Sequence, residues 1–207
     1  MASRPAASVG GESEAATCPD PLERRIRGLV DSGDVKRAAT EAIRGYGPGL
    51  LRYLRGLLWN EADAEEAFSR ASERIWRGFS EYRGEAAPRT WCFRLAWSAA
   101  ADLRKEVWNV RRRRLETEEA AGLSGGDGTR SWLREERLHL SLERLRATLT
   151  LEEQSLLQLR VDQRLSWAEC TEVLALHGPA PSADALMKRF ERIKAKLRAL
   201  VGEAGGE

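Results

Sequence analysis

The run from Pro88 to Arg114 constrains the fold most. It opens on a proline suited to a first helical turn, sets Trp91, Leu95, Ala99 and Leu103 at helical spacing, and closes on the consecutive arginines Arg111 to Arg114. At about 100° per residue these four apolar positions share one stripe. Arg94, Trp97, Ser98, Ala101, Arg104, Lys105 and Trp108 lie on or beside the opposite face, where basic groups alternate with indoles. Guanidinium and ammonium groups neutralise phosphates and release counterions, and flat aromatic faces accept unstacked bases. The face suits nucleic acid, although a solvated helix end and a tryptophan-bearing core would use the same residue types.

Charge segregation favours the first alternative. The formal net charge is only +2, yet nine Lys/Arg stand against three Asp/Glu between Tyr82 and Arg114. With 42% hydrophobic and 32% charged residues in 207, the chain has room for one or two small helical domains. Three scattered cysteines and two histidines supply neither a disulfide framework nor metal-ligand spacing, which points to a reducing cytoplasm. Cys92 and Cys170 adjoin apolar stripes and are expected in the core. No apolar run is long enough to span a bilayer, and residues 1–20 lack the apolar centre of a signal peptide.

Helical patterns follow one another along the chain. Residues 1–21 read as a disordered leader rich in Ala, Ser, Gly and Pro. Helices are expected over Pro21–Val30 and Val35–Arg44, with an interruption at Gly45 to Gly49 before Leu50, Leu51, Leu54, Leu57 and Leu58 resume the pattern. Glu61–Phe79 is the next, with Ala64, Ala67, Phe68, Ala71, Ile75 and Phe79 inward and Asp63, Glu65, Glu66, Arg70 and Glu73 outward. A polar loop, Ser80 to Ala87, leads into the Pro88–Arg114 helix. Domains are expected at 22–114 and 131–202, joined by a flexible, acidic and then Ser/Gly-rich linker over 115–130 and followed by a tail at 203–207.

In the second domain a helix is expected over Trp132–Thr148, with Leu133, Leu138, Leu142 and Leu145 inside. Thr150/Glu153 and Ser166/Glu169 have capping-box spacing and start two more helices, ending near Val161 and Leu176. After His177 to Pro181, Ser182 caps a last helix reaching about Val201. Its apolar stripe is Leu186, Phe190, Ile193 and Leu197, while Asp184, Lys188, Glu191, Arg192 and Ala195 project outward. Six Lys/Arg against two Asp/Glu in 184–198 make it a candidate recognition helix of a helix-turn-helix, since such a helix fits the major groove.

Taken together, Asp63-Ala64-Glu65-Glu66, Trp76-Arg77, Phe79 to Gly84, Arg89-Thr90-Trp91 and Arg94-Leu95-Ala96 resemble the second conserved region of bacterial sigma factors of the extracytoplasmic-function group. Leu156 to Arg160, Leu165 to Glu169, Lys188-Arg189-Phe190 and Lys196-Leu197-Arg198 resemble their fourth region. The resemblance spans about residues 35–114 and 134–200. It implies an all-α fold of two small domains and a promoter-specificity subunit, not an enzyme, that needs no cofactor. It also implies core RNA polymerase and promoter DNA, duplex and single-stranded, as partners, and makes an anti-sigma factor plausible.

Carried over by this resemblance, Asp63, Glu65, Glu66, Glu73 and Trp76 belong to the polymerase-docking helix. Tyr82 and Arg83 fall in the loop that holds a flipped base. Arg89, Arg94, Trp97, Ser98, Arg104, Lys105 and Trp108 lie along the helix that captures the minus-ten strand, with Trp91 moved to the core. Ser182, Ala185, Lys188, Arg189 and Arg192 meet the minus-thirty-five duplex. The chain departs from the pattern in several places. Ser69 to Ser72 replace a Gln-Glu-Thr-Phe-like run, Pro88 stands for Phe, Ser98 for Asn and Asp184-Ala185 for Gly-Thr, and the turn before the recognition helix is long. These departures imply a divergent branch with its own promoter preference.

Two other readings fit the composition: a helix-turn-helix regulator that does not join polymerase, and a helical interaction protein without a DNA role. A regulator's sensory module has little use for the arginines and indoles of residues 89–114. No Gly-rich phosphate loop, metal-ligand spacing or supported nucleophile pair speaks for catalysis, and His139 and His177 are expected on a helix surface and in a turn.

Overall fold

The computed structural model describes residues 20–121, 148–175 and 180–204, and every regular element among them is a helix, as expected. The order is α1 (Pro21–Asp31), α2 (Val35–Leu58), α3 (Glu61–Gly78), α4 (Pro88–Ala121), α5 (Leu151–Val161), α6 (Trp167–Leu174) and α7 (Ala183–Ala204). Polar side chains close the exposed N–H groups at their starts. Asp20 accepts from the Leu22 N–H at 3.1 Å and Asn60 from the Asp63 N–H at 3.0 Å. The expected capping boxes Thr150/Glu153 and Ser166/Glu169 both form, each cap contributing about 1 kcal/mol. The helix expected over Trp132–Thr148, with His139, lies outside the described residues save for its last residue, as do the 122–130 part of the linker, His177 and most of the turn before α7.

Two expectations about helix extent are corrected. Gly45 to Gly49 do not interrupt: α2 is one helix that carries Pro48 inside it. The glycines here serve close approach. At Gly45 a Leu22 methyl of α1 fills the space a Cβ would take, while Gly47 lies under the Phe68 ring of α3 at ordinary contact distance. Burial of Ala42, Tyr46, Leu50, Tyr53 and Leu54 on either side of this stretch offsets the propensity cost of about 1 kcal/mol per glycine and about 3 kcal/mol for the proline. Helix α4 runs past Arg114 to Ala121, through Glu116, Glu118, Glu119 and Ala120, all good helix formers.

Helices α1 to α4 pack together around Ile26, Leu50, Leu54, Leu57, Ile75, Phe79 and Phe93, all nearly or wholly buried, each worth about 2 kcal/mol of transfer free energy. An aromatic knot closes one end: Phe79 meets Trp91 at 4.9 Å between centroids, and Tyr82 meets both rings within 5.5 Å. The C-terminal helices α5 to α7 enclose Leu156, Leu159, Leu165, Cys170, Val173, Leu186 and Ile193.

The two groups of helices are seated on each other. Helix α5 packs on α2 and α6 on α4, so one core runs through both. Tyr53 and Ser155 share a hydrogen bond of 2.6 Å at the seam, the Arg89 guanidinium donates to the Gln163 carbonyl at 2.7 Å, and the Thr90 hydroxyl donates to Glu169 at 3.2 Å. The Gln158 side-chain amide of α5 lies over Gly56, in the space a Cβ there would take.

Candidate nucleic-acid interface

Packing on several sides buries much of the first four turns of α4. Trp91, Cys92, Phe93, Ala96, Trp97, Ala99, Ala100 and Leu103 are buried between its neighbours. Among the residues left open or half-open, Arg94, Ser98, Ala101, Lys105 and Trp108 form one row, which at about 100° per residue spans a narrow face, with half-open Asp102 and open Glu106 beside it. Trp108 is 67% exposed and offers an indole to solvent. Trp97 is corrected: at 3% exposure it is a core residue and presents no face to a base. Sequence periodicity put it opposite the apolar stripe, but the stripe is not the only buried face once other helices cover the helix.

The row starts at a pocket of about 250 Å³ lined by Glu81, Tyr82, Arg83, Glu85, Ala86, Trp91 and Arg94. Tyr82 is nearly buried and its hydroxyl donates to the Ala86 carbonyl, which folds the loop back on itself. Burial pushes its phenol up to about 12, so the hydroxyl stays a donor at any ordinary pH. Arg83 is exposed at the rim, and Arg94 is half-buried on the other wall. Gly84 takes a φ of 76°, a backbone conformation that glycine adopts without strain and that turns the loop.

Two of the other expected strand contacts, Arg89 and Ser98, are engaged within the protein. Besides its bond to the Gln163 carbonyl, Arg89 stacks over the Phe93 ring at 5.5 Å. Ser98 accepts a hydrogen bond of 2.8 Å from Arg74 of α3. Arg104 is half-buried, and Lys105 is exposed.

Arg74 is a residue that helix-by-helix reading misses. It also donates to Asp102 at 2.8 Å. One turn away, Arg70 donates to Glu66 at 2.7 Å and to both oxygens of Glu106 at 2.9 and 3.0 Å. The hydrogen bonds to Glu66 first and Glu106 second raise the pKa of its guanidinium above the ordinary arginine value. The available signal was the match between Arg70/Arg74 on one helix and Ser98/Asp102/Glu106 on the next, each at four-residue spacing. Two departures noted above, Arg70 and Ser98, lie along this same α3–α4 line.

On α3, Glu65, Glu66, Glu73 and Trp76 are exposed and Asp63 is half-buried. Trp76, at 48% exposure, gives this acidic face an apolar centre, while Glu73 pairs with Arg77 at 2.7 Å. On α7, Ser182 caps the helix by accepting from the Ala185 N–H at 3.2 Å, and Ser182, Ala185, Lys188 and Arg192 are all exposed on an outer row. Arg189 is set apart from that row: it is half-buried and paired with Glu152 of α5 at 2.8 Å. Trp167 of α6 packs edge-on against Phe190 and carries Arg160 over its ring at 4.1 Å, holding α6 and α7 at a fixed angle.

Cys92 and Cys170 are buried, as expected; burial raises the first thiol and pushes the second up to about 12, so neither is a ready nucleophile. Among the described residues no group of acidic, His or Cys side chains could hold a metal ion, and no helix is long and apolar enough to cross a membrane.

The family model for sigma-70 region 2 matches residues 42–110, the span that holds α3, the pocket and the open row of α4. No curated protein sequence matches the chain. Among solved structures the chain is similar to CnrH in complex with the cytosolic domain of CnrY, at 20% identity and a TM-score of 0.61, over 88% of this chain and 99% of that one. It is also similar to the sigma factor RpoE of Bartonella quintana in complex with the anti-sigma factor NepR, at 14% identity and a TM-score of 0.53, over 79% of this chain and 96% of that one. The likeness in fold takes in the C-terminal helices as well as the matched domain.

Proposed function

We propose that this chain is a sigma factor of the extracytoplasmic-function type that directs core RNA polymerase to promoters and captures the melted minus-ten strand on α4, a reading supported by the region 2 match over residues 42–110 and by the likeness in fold to CnrH and RpoE. The observation that carries the reading is the continuity of the loop pocket with the open row of α4. A flipped base enters beside Tyr82, Arg83 and Trp91, and the following phosphates track along Arg94 and Lys105 toward the Trp108 indole. Counterion release favours this path, and the exposed indole stacks on a base without regard to its identity.

Helix α7 lays its outer row in the major groove of the minus-thirty-five duplex, Lys188 and Arg192 meeting DNA and Ser182 and Ala185 leaving room for its approach. The acidic face of α3, centred on Trp76, docks on polymerase. For Arg89 to reach a strand it must leave the Gln163 carbonyl, so the two halves separate when the chain loads on polymerase and DNA. CnrH and RpoE were each solved with a protein bound; an anti-sigma partner of that kind would hold this chain in its closed arrangement.

Reconstitution with core polymerase on DNA upstream of the chain's own gene tests the reading. Promoter-dependent transcripts are expected. Binding to duplex DNA with no initiation on any native fragment would favour the helix-turn-helix regulator instead.

A further inference from the structure

The strand-binding row of α4 has an acidic flank. Taking Arg94 as zero and about 100° per residue, Asp102 and Glu106 lie about 80° and 120° round the helix, on the side that meets α3. Within the row Arg94 and Lys105 carry positive charge, and these two carboxylates would cancel it. Both are partly open to solvent, at 41% and 56% of their side-chain surface, and lie within a turn of Lys105 along the helix, so a phosphate held at Lys105 would feel them at a separation on the order of the Debye length of about 8 Å. Arg74 covers the first and Arg70 the second, each from the neighbouring helix and each at 2.9 Å or less. The same guanidinium of Arg74 turns the Ser98 hydroxyl toward α3.

We propose that Arg70 and Arg74 are positioning residues for strand capture: by covering Glu106 and Asp102 they keep the open row of α4 a net cation. This rests on the reading of that row as the strand-binding surface. A merely structural brace would use the same contacts, but the two roles respond oppositely to removal of the acid. If the arginine only braces α3 against α4, neutralising Asp102 breaks the same bridge and repairs nothing. If it masks charge, neutralising Asp102 removes the need for it.

The test uses full-length chain in holoenzyme with core polymerase, and a fluorescently labelled non-template strand from its own upstream DNA. Arg74→Gln keeps an amide donor for Ser98 and removes the charge. Strand affinity is expected to fall about threefold at low salt, and the slope of log affinity against log salt to shrink by about 0.7, the effect of about one phosphate contact on a single strand. Asp102→Asn in the same chain is expected to restore both, and Glu106→Gln to do so for Arg70→Gln. Unchanged affinity in Arg74→Gln, or a double variant as weak as the single one with an unaltered melting curve, overturns the proposal. Wild-type holoenzyme that captures no strand overturns the functional reading and this proposal with it.

Discussion

The hydroxyls of Tyr53 and Ser155 meet at 2.6 Å in the interior, 102 residues apart along the chain, and both residues are fully buried. Tyr53 belongs to α2 and Ser155 to α5, so this bond ties the first four helices to the C-terminal three. Burial raises the phenol above its ordinary value, with the Ser155 bond opposing, so it stays protonated and can donate. Tyr53→Phe leaves the serine hydroxyl buried without its partner, and Ser155→Ala does the reverse. Each is expected to cost about 1–3 kcal/mol in denaturant unfolding, and the double variant less than the sum of the two. Full additivity would show that the bond does not couple the halves.

The two indoles of α4 are expected to separate stability from function. Trp97→Ala removes a buried ring and should cost about 3–5 kcal/mol. Trp108→Ala changes an exposed residue and should alter stability by less than about 0.5 kcal/mol while impairing promoter opening, read by permanganate reactivity of the melted strand. A Trp108 variant that opens promoters as well as wild type would remove that ring from the strand path.

On α7, Lys188→Ala and Arg192→Ala are expected to weaken duplex binding across sequences and to lower the salt slope by about 0.9 each, since both groups are exposed on the outer row. Arg189→Ala is expected to act differently, because its guanidinium is paired with Glu152. Part of its effect will appear as lowered melting temperature without DNA. Equal salt slopes in all three variants and wild type would take α7 out of the interface.

Stability should respond to pH through carboxyls of opposite sign. Glu23 is pushed up by burial first and then by Glu169 and Asp20, with Arg27 and Arg89 opposing; Glu172 is pushed up by burial and Glu169, with Arg94 opposing. A raised carboxyl contributes stability that is fully present below its unfolded pKa and lost as pH rises through its folded one. Glu23→Gln with Glu172→Gln should therefore raise Tm near about pH 7 and leave it unchanged near about pH 3. Glu153 goes the other way: burial opposes ionisation, but bonds from Lys196 and the Thr150 N–H outweigh it and hold the carboxyl low. Its contribution is present above the unfolded pKa and lost as pH falls through the folded one, so Glu153→Gln should lower Tm at neutral pH and lose that effect in acid. Matching pH profiles for the two kinds of variant would contradict these signs.

Local chemistry was readable along the chain. The boxes at Thr150/Glu153 and Ser166/Glu169, the proline opening α4 and the stripe of Leu186 and Ile193 depend on partners within a turn or two, so residue type and spacing determined them. An all-helical chain with a basic α4 and α7 followed from the same short-range terms. Gly45, Gly47 and Pro48 were misleading because α2 buries Ala42, Tyr46, Leu50, Tyr53 and Leu54 on either side of them against other helices, and that burial outweighs the local propensity cost. Trp97 was misplaced for a similar reason, since a face of α4 is polar or buried according to which helices lie on it. The sequence by itself determined that the described elements are helical, where most of them begin, and which carry positive charge. Only the tertiary structure decided which of those charges are open, because Arg74 meets Asp102, Arg89 meets Gln163 and Arg189 meets Glu152 through space between helices that no spacing along one helix encodes.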